Sequence, residues 1–564
     1  MFTSSPERIE DLTRRGWWGD ETLHSLLLAQ AQEQPQVLAV ADQPGIDAFC
    51  NLESKRLSYE QLQQSAVNLA CSLLDRGIGR DDVVVVQLPN IVELVVSYFA
   101  ASMIGAIVSP LPVQYGRHEL QVVIDAVNPR AYIGLESFRG SSNQEILQVI
   151  ESAGMLGLVF GANSDTDTPS LRVDASKQPA NASQIEQYQK DGAPSANDIL
   201  TICWTSGTTG SPKGVPRSHN MWFATAKTSS AAGQYRTGDR LLNPFPLVNM
   251  AALGGFLFPF ILNGCSLVLH HPFDPGVFLQ QMQDEKITFT IVPPAVLNQL
   301  AKNPDMWNAY DFTELRRVGS GSAPLAPSMI NTFDNEYKKQ IVNFYGSNEG
   351  ISLFSTPETS VAPEVRATMF PRMGCAGMPW SGITHEMVGT KIVAVDTEEE
   401  IVDVGVPGEL LFYGATVFDG YTGDAGDDVF TSDGWFRTGD LVEICEGESN
   451  FYRIVGRCKD IINRGGMKIS PSELDILLEG YPQLSEAAVC AYADDDLGER
   501  VCVCVVPVED SAAPELSELC TYLLEKGIAK FKLPEKLVVV AALPRNPLGK
   551  VQRHLLEQQV KDNV

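Results

Sequence analysis

From Thr201 to His219 the chain reads Thr-Ile-Cys-Trp-Thr-Ser-Gly-Thr-Thr-Gly-Ser-Pro-Lys-Gly-Val-Pro-Arg-Ser-His, a strand-like run feeding a loop dense in hydroxyls and glycine. Thr205, Ser206, Thr208, Thr209 and Ser211 can donate to phosphate oxygens, and Lys213 adds a positive charge. Gly207, Gly210 and Gly214 let backbone N–H groups converge on an anion. The competing reading is a Ser/Thr/Gly-rich surface loop without a ligand. A Walker A loop is excluded, because Pro212 stands where the second glycine of that motif belongs.

A cradle of this kind needs strands and helices to hold it, and the flanking sequence supplies them. Ser58 with Gln61 three residues on predicts a capped helix running towards Leu74 and stopping at Gly77. The β-branched run Asp82–Leu88, the segment Ile107–Pro110, and the later runs Ile287–Val292, Arg317–Gly319 and Ile341–Phe344 predict buried strands. Continuous apolar strands separated by helices imply parallel sheet covered on both faces. Past residue 385 shorter strands at Lys391–Val395, Gly408–Tyr413, Asp440–Ile444 and Asn450–Val455 predict a small β subdomain. The glycine-led, charged Gly456–Asp460 reads as a linker, and residues 460–564 suffice for a small domain of their own. The polar stretch Gly161–Asn197 reads as loop and surface.

Composition narrows the function classes. The 42 basic and 70 acidic residues among 564 give a formal charge of −28, which disfavours a nucleic-acid partner. Any anionic ligand must be held by a local site. Eleven scattered cysteines without a CxxC pair argue for neither zinc nor a disulfide framework and fit a reducing compartment, and Cys502 and Cys504 read as small core residues. No Asp, Glu, Lys or Arg occurs between Arg240 and Asp274, but Pro244, Pro246, Pro259 and the Gly254–Gly255 pair make this buried core rather than a membrane span. The N-terminus lacks the apolar segment of a signal peptide.

Seven motifs in one order resemble those of the ANL superfamily of adenylate-forming enzymes. These are the Thr201–His219 segment, Gly319–Leu325, Asn343-Phe-Tyr-Gly-Ser-Asn-Glu349, Gly408-Glu-Leu with Gly420-Tyr421, Gly434–Asp440, Gly456–Asp460 with Gly465–Ser470, and Asn546-Pro-Leu-Gly-Lys550. The resemblance implies an α/β N-terminal AMP-binding domain, residues 1–459, with its β subdomain at about 385–455. It also implies a mobile α+β C-terminal domain, 460–564, hinged near Asp460.

It further implies the roles. Thr205, Ser206, Gly207, Thr208, Thr209 and Lys213 would hold the ATP phosphates, and Ser322, Ala323 and Pro324 would flank the adenine. Asn343, Phe344, Tyr345 and Gly346 form the adenine-binding motif, in which Asn343 would hydrogen-bond the base and Tyr345 stack on it. Asp440 and Arg457 would take the ribose. Glu349, with Thr205, would hold Mg²⁺. Lys550 would bridge carboxylate and α-phosphate during adenylation, and Gly465 and Gly466 would admit the pantetheine thiol. Lone, Glu349 and Asp440 would read as solvated loop carboxylates and Lys550 as a surface lysine; their place in ordered motifs gives them these roles.

Val84–Asn90, Ile462–Gly466 and Leu497–Arg500 resemble the branch of 2,3-dihydroxybenzoate- and cyclohexanecarboxylate-activating enzymes. Asn249 stands where amino-acid-activating relatives carry aspartate, so an α-ammonium would go unpaired. Val248 and Asn348 depart from the aryl-acid pattern. The expected substrate is an apolar alicyclic, aromatic or fatty acid, with Asn249, Met250, Trp222 and Gly321 lining its pocket. The expected activity is an AMP-forming carboxylate–CoA ligase using ATP, Mg²⁺ and CoA, cytoplasmic, monomeric or homodimeric. An acyl-AMP ligase loading a carrier-protein phosphopantetheine is the alternative, and an inactive adenylate-binding protein the remote one.

Overall fold

The computed structural model describes residues 3–161, 169–173, 182–190, 192–205, 212–321, 325–395, 397–423, 429–465, 467–494, 496–508, 511–545 and 551–562. The chain forms two compact units: Met1–Thr390 with Phe412–Phe436, and Lys391–Leu411 with Arg437–Val564.

Two large sheets form the framework of the first unit. One has eight strands in the order Ser352–Ser355, Gln340–Gly346, Arg317–Gly321, Phe289–Ile291, Arg240–Asn243, Ser266–Leu269, Leu38–Ala41 and Arg56–Ser58. Its interior pairs are parallel and its two outer pairs antiparallel. The other has seven, in the order Lys213–Ser218, Ile199–Thr205, Ile107–Pro110, Val83–Val86, Ala131–Leu135, Leu156–Phe160 and Ser170–Leu171. Ser58 caps the helix Tyr59–Leu74 through the expected box with Gln61. Every residue of the helix Val92–Ile104 is buried. One continuous core joins that helix, residues of the helix His219–Gly233 and strand residues of both sheets, including Val84, Val86, Leu241, Leu267 and Phe289. Apolar strands covered on both faces are what a parallel sheet requires.

Between Arg240 and Asp274 the chain makes two strands and a broken helix rather than a span. Among the described residues no helix is long and apolar enough to cross a membrane. That helix passes through a π turn at Leu253–Leu257, a device found often at functional sites. One expectation needs correction. Gly161–Asn197 is not loop throughout: Ala182–Lys190 is a helix. Tyr188 and Gln189 dock it to the Ile104 and Met103 carbonyls at 3.1 and 2.9 Å.

In the second unit the strands Phe436–Cys445, apart from Phe436, and Glu448–Arg457 form an antiparallel hairpin. A sheet of Met467–Ile469, Ile462–Arg464, Gly498–Pro507 and Leu484–Asp494 is extended by Lys536–Val539. Alternate residues of Gly498–Pro507 serve opposite faces: Val501, Val503 and Val505 join Leu474, Leu478, Leu519 and Leu523, while Cys502 and Cys504 join Leu556 and Val560.

Candidate active site

The hairpin of Ile199–Thr205 and Lys213–Ser218 sets Thr205 opposite Lys213 at the mouth of the predicted anion loop. Thr205 Oγ1 donates to the Lys213 carbonyl at 3.5 Å. Ser206, Gly207, Thr208 and Thr209 lie outside the described residues, as do Ser322, Ala323, Pro324, Gly466 and Lys550. Lys213 Nζ stands 4.9 Å from the ring centre of Tyr421, whose hydroxyl donates to Glu349 Oε1 at 2.8 Å. The cation of one motif and the carboxylate of another are therefore joined through the tyrosine of a third.

Glu349 is held firmly. It is 8% exposed, its carbonyl accepts from Phe418 N at 2.9 Å, and the next residue, Gly350, has φ +112°. A Cβ at Gly350 would collide with the Thr416 carbonyl, and Thr416 Oγ1 donates back to Gly350 O at 2.7 Å. Gly214 is required for a similar reason: a Cβ there would lie 2.5 Å from Thr422 Oγ1, and Thr422 N donates to Gly214 O at 2.9 Å. The two glycines let the segment 416–422 lie against both motif loops.

Strands Arg317–Gly321 and Gln340–Gly346 run side by side, with Gly321 paired to Phe344. A Cβ at Gly321 would strike the Phe344 carbonyl oxygen. Asn343 commits its side-chain N–H groups to the Arg366 and Ala367 carbonyls at 3.0 and 2.9 Å, so Oδ1 is the atom it can offer to an exocyclic amine. Tyr345 is half-buried and tilts against Phe370 at 5.4 Å. Strand alternation sends Phe344 the other way, into the core beside Phe289 and Phe354. Gly346 is exposed, and the neighbouring Ser347 hydroxyl is buried with no hydrogen-bond partner among the described residues.

Asn249 caps the short helix Met250–Ala252, accepting from Ala252 N at 3.4 Å, and both Asn249 and Met250 are half-buried. Trp222, expected to line the acid pocket, has no exposed surface: it stacks on Phe258 and donates Nε1 to Thr201 Oγ1 at 2.8 Å. Asn348 is a brace, accepting from Met250 N at 2.8 Å and donating to the Trp204 carbonyl at 3.2 Å. Gly254 in the π turn leaves room for Met250, since a Cβ there would lie 2.8 Å from its sulfur.

Sequence reasoning assigned no role to Arg217, which is fully buried beneath these residues. Its Nη2 donates to Met221 O, Thr225 Oγ1 and Thr416 O at 2.9, 2.8 and 2.7 Å, and the guanidinium lies 4.0 Å from the Trp222 ring centre. Burial pushes its pKa down to about 9, against the pull of Cys203 and Glu349. Tyr421 was likewise visible only as the partner of Gly420 in a motif; nothing in its local sequence announces Glu349.

In the second unit Asp440 and Arg457 are paired across the hairpin, with Arg457 Nη1 2.9 Å from Asp440 Oδ1 and 3.0 Å from the Thr438 carbonyl. Gly439, between Thr438 and Asp440, adopts φ +69°. Asp460 ends a single 3₁₀ turn and lies 3.5 Å from Arg553 Nε, whose Nη2 pairs with Asp475 at 2.5 Å. Burial raises the Asp475 carboxyl in spite of that arginine. Gly465 has φ +57° and donates N–H to the Leu497 carbonyl at 2.8 Å.

Comparison with known proteins adds the following. The family model described as AMP-binding enzyme matches residues 27–422, and that described as AMP-binding enzyme C-terminal domain matches 473–550. A salicylyl-CoA synthase / salicylate adenylyltransferase of Streptomyces sp is 30% identical over 99% of this chain and 98% of its own. A medium-chain fatty-acid–CoA ligase of Escherichia coli strain K12 is 28% identical over 99% and 94%. The crystal structure of ATP-bound MatB from Rhodopseudomonas palustris superposes with a TM-score of 0.77 at 24% identity, covering 97% of this chain and 100% of the other.

Proposed function

The chain belongs to the family of AMP-binding enzymes, and on that premise we propose that it activates a carboxylic acid with ATP and passes the acyl group to the thiol of CoA. The observation that carries this reading is the chain of contacts from Lys213, paired in register with Thr205, through Tyr421 to Glu349. A carboxylate attacking the α-phosphate brings two anions together, and pyrophosphate leaves with more charge, so the reaction needs positive charge and fixed donors at that point. Lys213 and the Thr205 hydroxyl would supply them, with the Ser347 hydroxyl, which has no partner among the described residues, as a further donor.

Glu349 and Thr205 offer the hard oxygen donors that Mg²⁺ takes, and one Glu349 oxygen is already oriented by Tyr421. Bound there, Mg²⁺ would neutralise phosphate charge as pyrophosphate departs. Asn343 Oδ1 and the Tyr345 ring are assigned to adenine. In the second unit Asp440, steadied by Arg457, is the acceptor that a ribose diol requires. Lys550 is assigned to the first half-reaction and Gly465–Gly466 to the second, with the hinge near Asp460 and the boundary at 459/460 proposed on the same ground. In the thioester step the thiol sulfur attacks the acyl carbonyl, AMP leaves, and the thiol proton is released.

The acid is proposed to be apolar: aromatic, alicyclic or fatty. Asn249 is neutral and engaged as a helix cap, Val248 and Met250 flank it, and an α-ammonium would find no carboxylate at that position. All eleven cysteines are free, which agrees with work in a reducing cytoplasm. The experiment is pyrophosphate release with a panel of aromatic, alicyclic and fatty acids, with and without CoA. Acid-dependent release that goes on to acyl-CoA supports the proposal. AMP formation that never yields acyl-CoA would assign the thiol to a carrier protein instead. No release with any acid would leave an adenylate-binding protein.

A further inference from the structure

Cys490, Cys502 and Cys504 take no part in the chemistry above, yet their Sγ atoms all lie within 4.8 Å of one another and all three residues are fully buried. Strand register explains the grouping. Cys490 faces Cys502 across the antiparallel strands Leu484–Asp494 and Gly498–Pro507, and Cys504, two residues on, points to the same side. Val538, Leu543, Leu556 and Val560 close over that side. Filling an apolar face needs only apolar volume, which valine or alanine provides; three sulfurs converging on one point also make a donor set.

We propose that these three thiols form a trigonal site for a soft, closed-shell divalent cation of the zinc class, with a structural role. The geometry admits such an ion. Three sulfurs no more than 4.8 Å apart leave some point within about 2.8 Å of all of them. A zinc–thiolate bond of about 2.3 Å asks for sulfurs roughly 4.0 Å apart, a contraction of less than 1 Å.

Charge selects the valence. Binding releases three thiol protons and leaves three thiolates around the ion. Lys536 is in register with Cys502 on the adjoining parallel strand and donates Nζ to the Val560 carbonyl at 3.2 Å. A divalent ion plus that lysine brings the assembly to neutrality. A monovalent ion would leave one uncompensated negative charge in an apolar core, which is costly.

The structural role follows from the neighbours. Val489, beside Cys490, donates N–H to Asp475 at 2.7 Å and accepts from Arg553 Nη1 at 2.8 Å. Arg553 opens the helix Arg553–Asp562, which also supplies Leu556 and Val560. An ion on the sulfurs would fix the sheet face on which this helix packs. None of this rests on the proposed ligase activity.

The test uses the full chain, reduced with a phosphine and stripped by a chelator. It is titrated with Zn²⁺ alone against a chromophoric chelator, and separately with Co²⁺ as a spectroscopic probe. One equivalent of Zn²⁺ should bind with proton release and a raised melting temperature, and Co²⁺ should give an intense thiolate charge-transfer band. Cys490→Ser and Cys502→Ser should each weaken Zn²⁺ binding at least tenfold, while Cys520→Ser, half-buried elsewhere in the unit, should keep both signals. Cys504→Val retains apolar packing, so it should fold as the metal-free wild type does, as checked by circular dichroism, and lose both signals. Absence of the cobalt band in the folded wild type, or unchanged Zn²⁺ affinity in Cys504→Val, overturns the site. Uptake of Cu⁺ with none of Zn²⁺ overturns the divalent assignment.

Discussion

Tyr421 donates its hydroxyl to Glu349 Oε1 at 2.8 Å while Lys213 stands over its ring at 4.9 Å. The tyrosine thus fixes which carboxylate oxygen remains available and keeps the lysine beside the carboxylate without a direct ion pair that would neutralise both. A hydrogen bond to a charged acceptor contributes about 1.5–3 kcal/mol. Tyr421→Phe removes that bond and keeps the ring. It should raise the Mg²⁺ concentration that half-saturates acid-dependent pyrophosphate exchange by about tenfold or more, leaving the KM for the acid unchanged. Mn²⁺ binding followed by electron paramagnetic resonance should shift in parallel. A uniform fall in turnover without a metal shift would refute the positioning role.

Gly350 and Gly377 both adopt positive φ, +112° and +77°, but their surroundings differ. At Gly377 a Cβ would meet nothing within 4 Å, whereas at Gly350 it would enter the Thr416 carbonyl. Gly377→Ala should therefore cost only the backbone strain, about 1–2 kcal/mol. Gly350→Ala must also displace the backbone that anchors Glu349, and should cost about 3 kcal/mol or more. Denaturant unfolding of the two variants reads the difference, and equal losses would mean that the Thr416 segment yields freely.

The contrast between local and distant causes also decides what could be read in advance. The capped helix Tyr59–Leu74, the strand Ile107–Pro110 and the burial of Cys502 and Cys504 follow from neighbours in sequence, and each appears where its pattern puts it. The helix Ala182–Lys190 lies in a polar stretch, and only Ile185 and Tyr188 pack on the core while Tyr188 and Gln189 bond to the Ile104 and Met103 carbonyls, so little in its local composition announces it. The ordered motifs carried Thr205, Lys213 and Glu349, but Tyr421 meets Glu349 across 72 residues, a relation no motif spacing encodes. Trp222 is buried against Phe258, the residue that follows the π turn Leu253–Leu257, and no residue pattern announced that turn.

His24 and His219 give the first unit a pH dependence of known sign. Burial pushes them down to about 4 and about 3, and His219 Nδ1 accepts from Leu23 N at 3.1 Å, so its proton sits on Nε2. Both bind protons more weakly folded than unfolded. Their contribution is fully present above about 6.5 and is lost as pH falls towards the folded values, at about 1.4 kcal/mol per unit for each. Asp42 runs the other way: burial, then Glu93, raises it to about 7, so it gives up stability as pH rises from the ordinary aspartate range to that value. The difference between wild type and His219→Asn cancels Asp42. It should shrink by about 1.4 kcal/mol per unit as pH drops from 6.5 to 4. A difference that stays flat would show that His219 is not held neutral.

Lys550 carries the sharpest test of the two-step reading. In adenylation an anionic carboxylate must approach an anionic α-phosphate, and a cation between them lowers the barrier in that step alone. Thioester formation starts from an acyl-adenylate whose carboxylate charge is already gone, so the same lysine has nothing left to neutralise. Lys550→Ala should slow acid-dependent pyrophosphate exchange by about 10²–10³, the usual loss when one preorganised donor to transition-state charge is removed. The same variant, given synthetic acyl-adenylate and CoA, should form thioester at nearly the wild-type rate. Loss of both halves to the same degree would place Lys550 in general binding or stability and remove the ground for a hinge near Asp460.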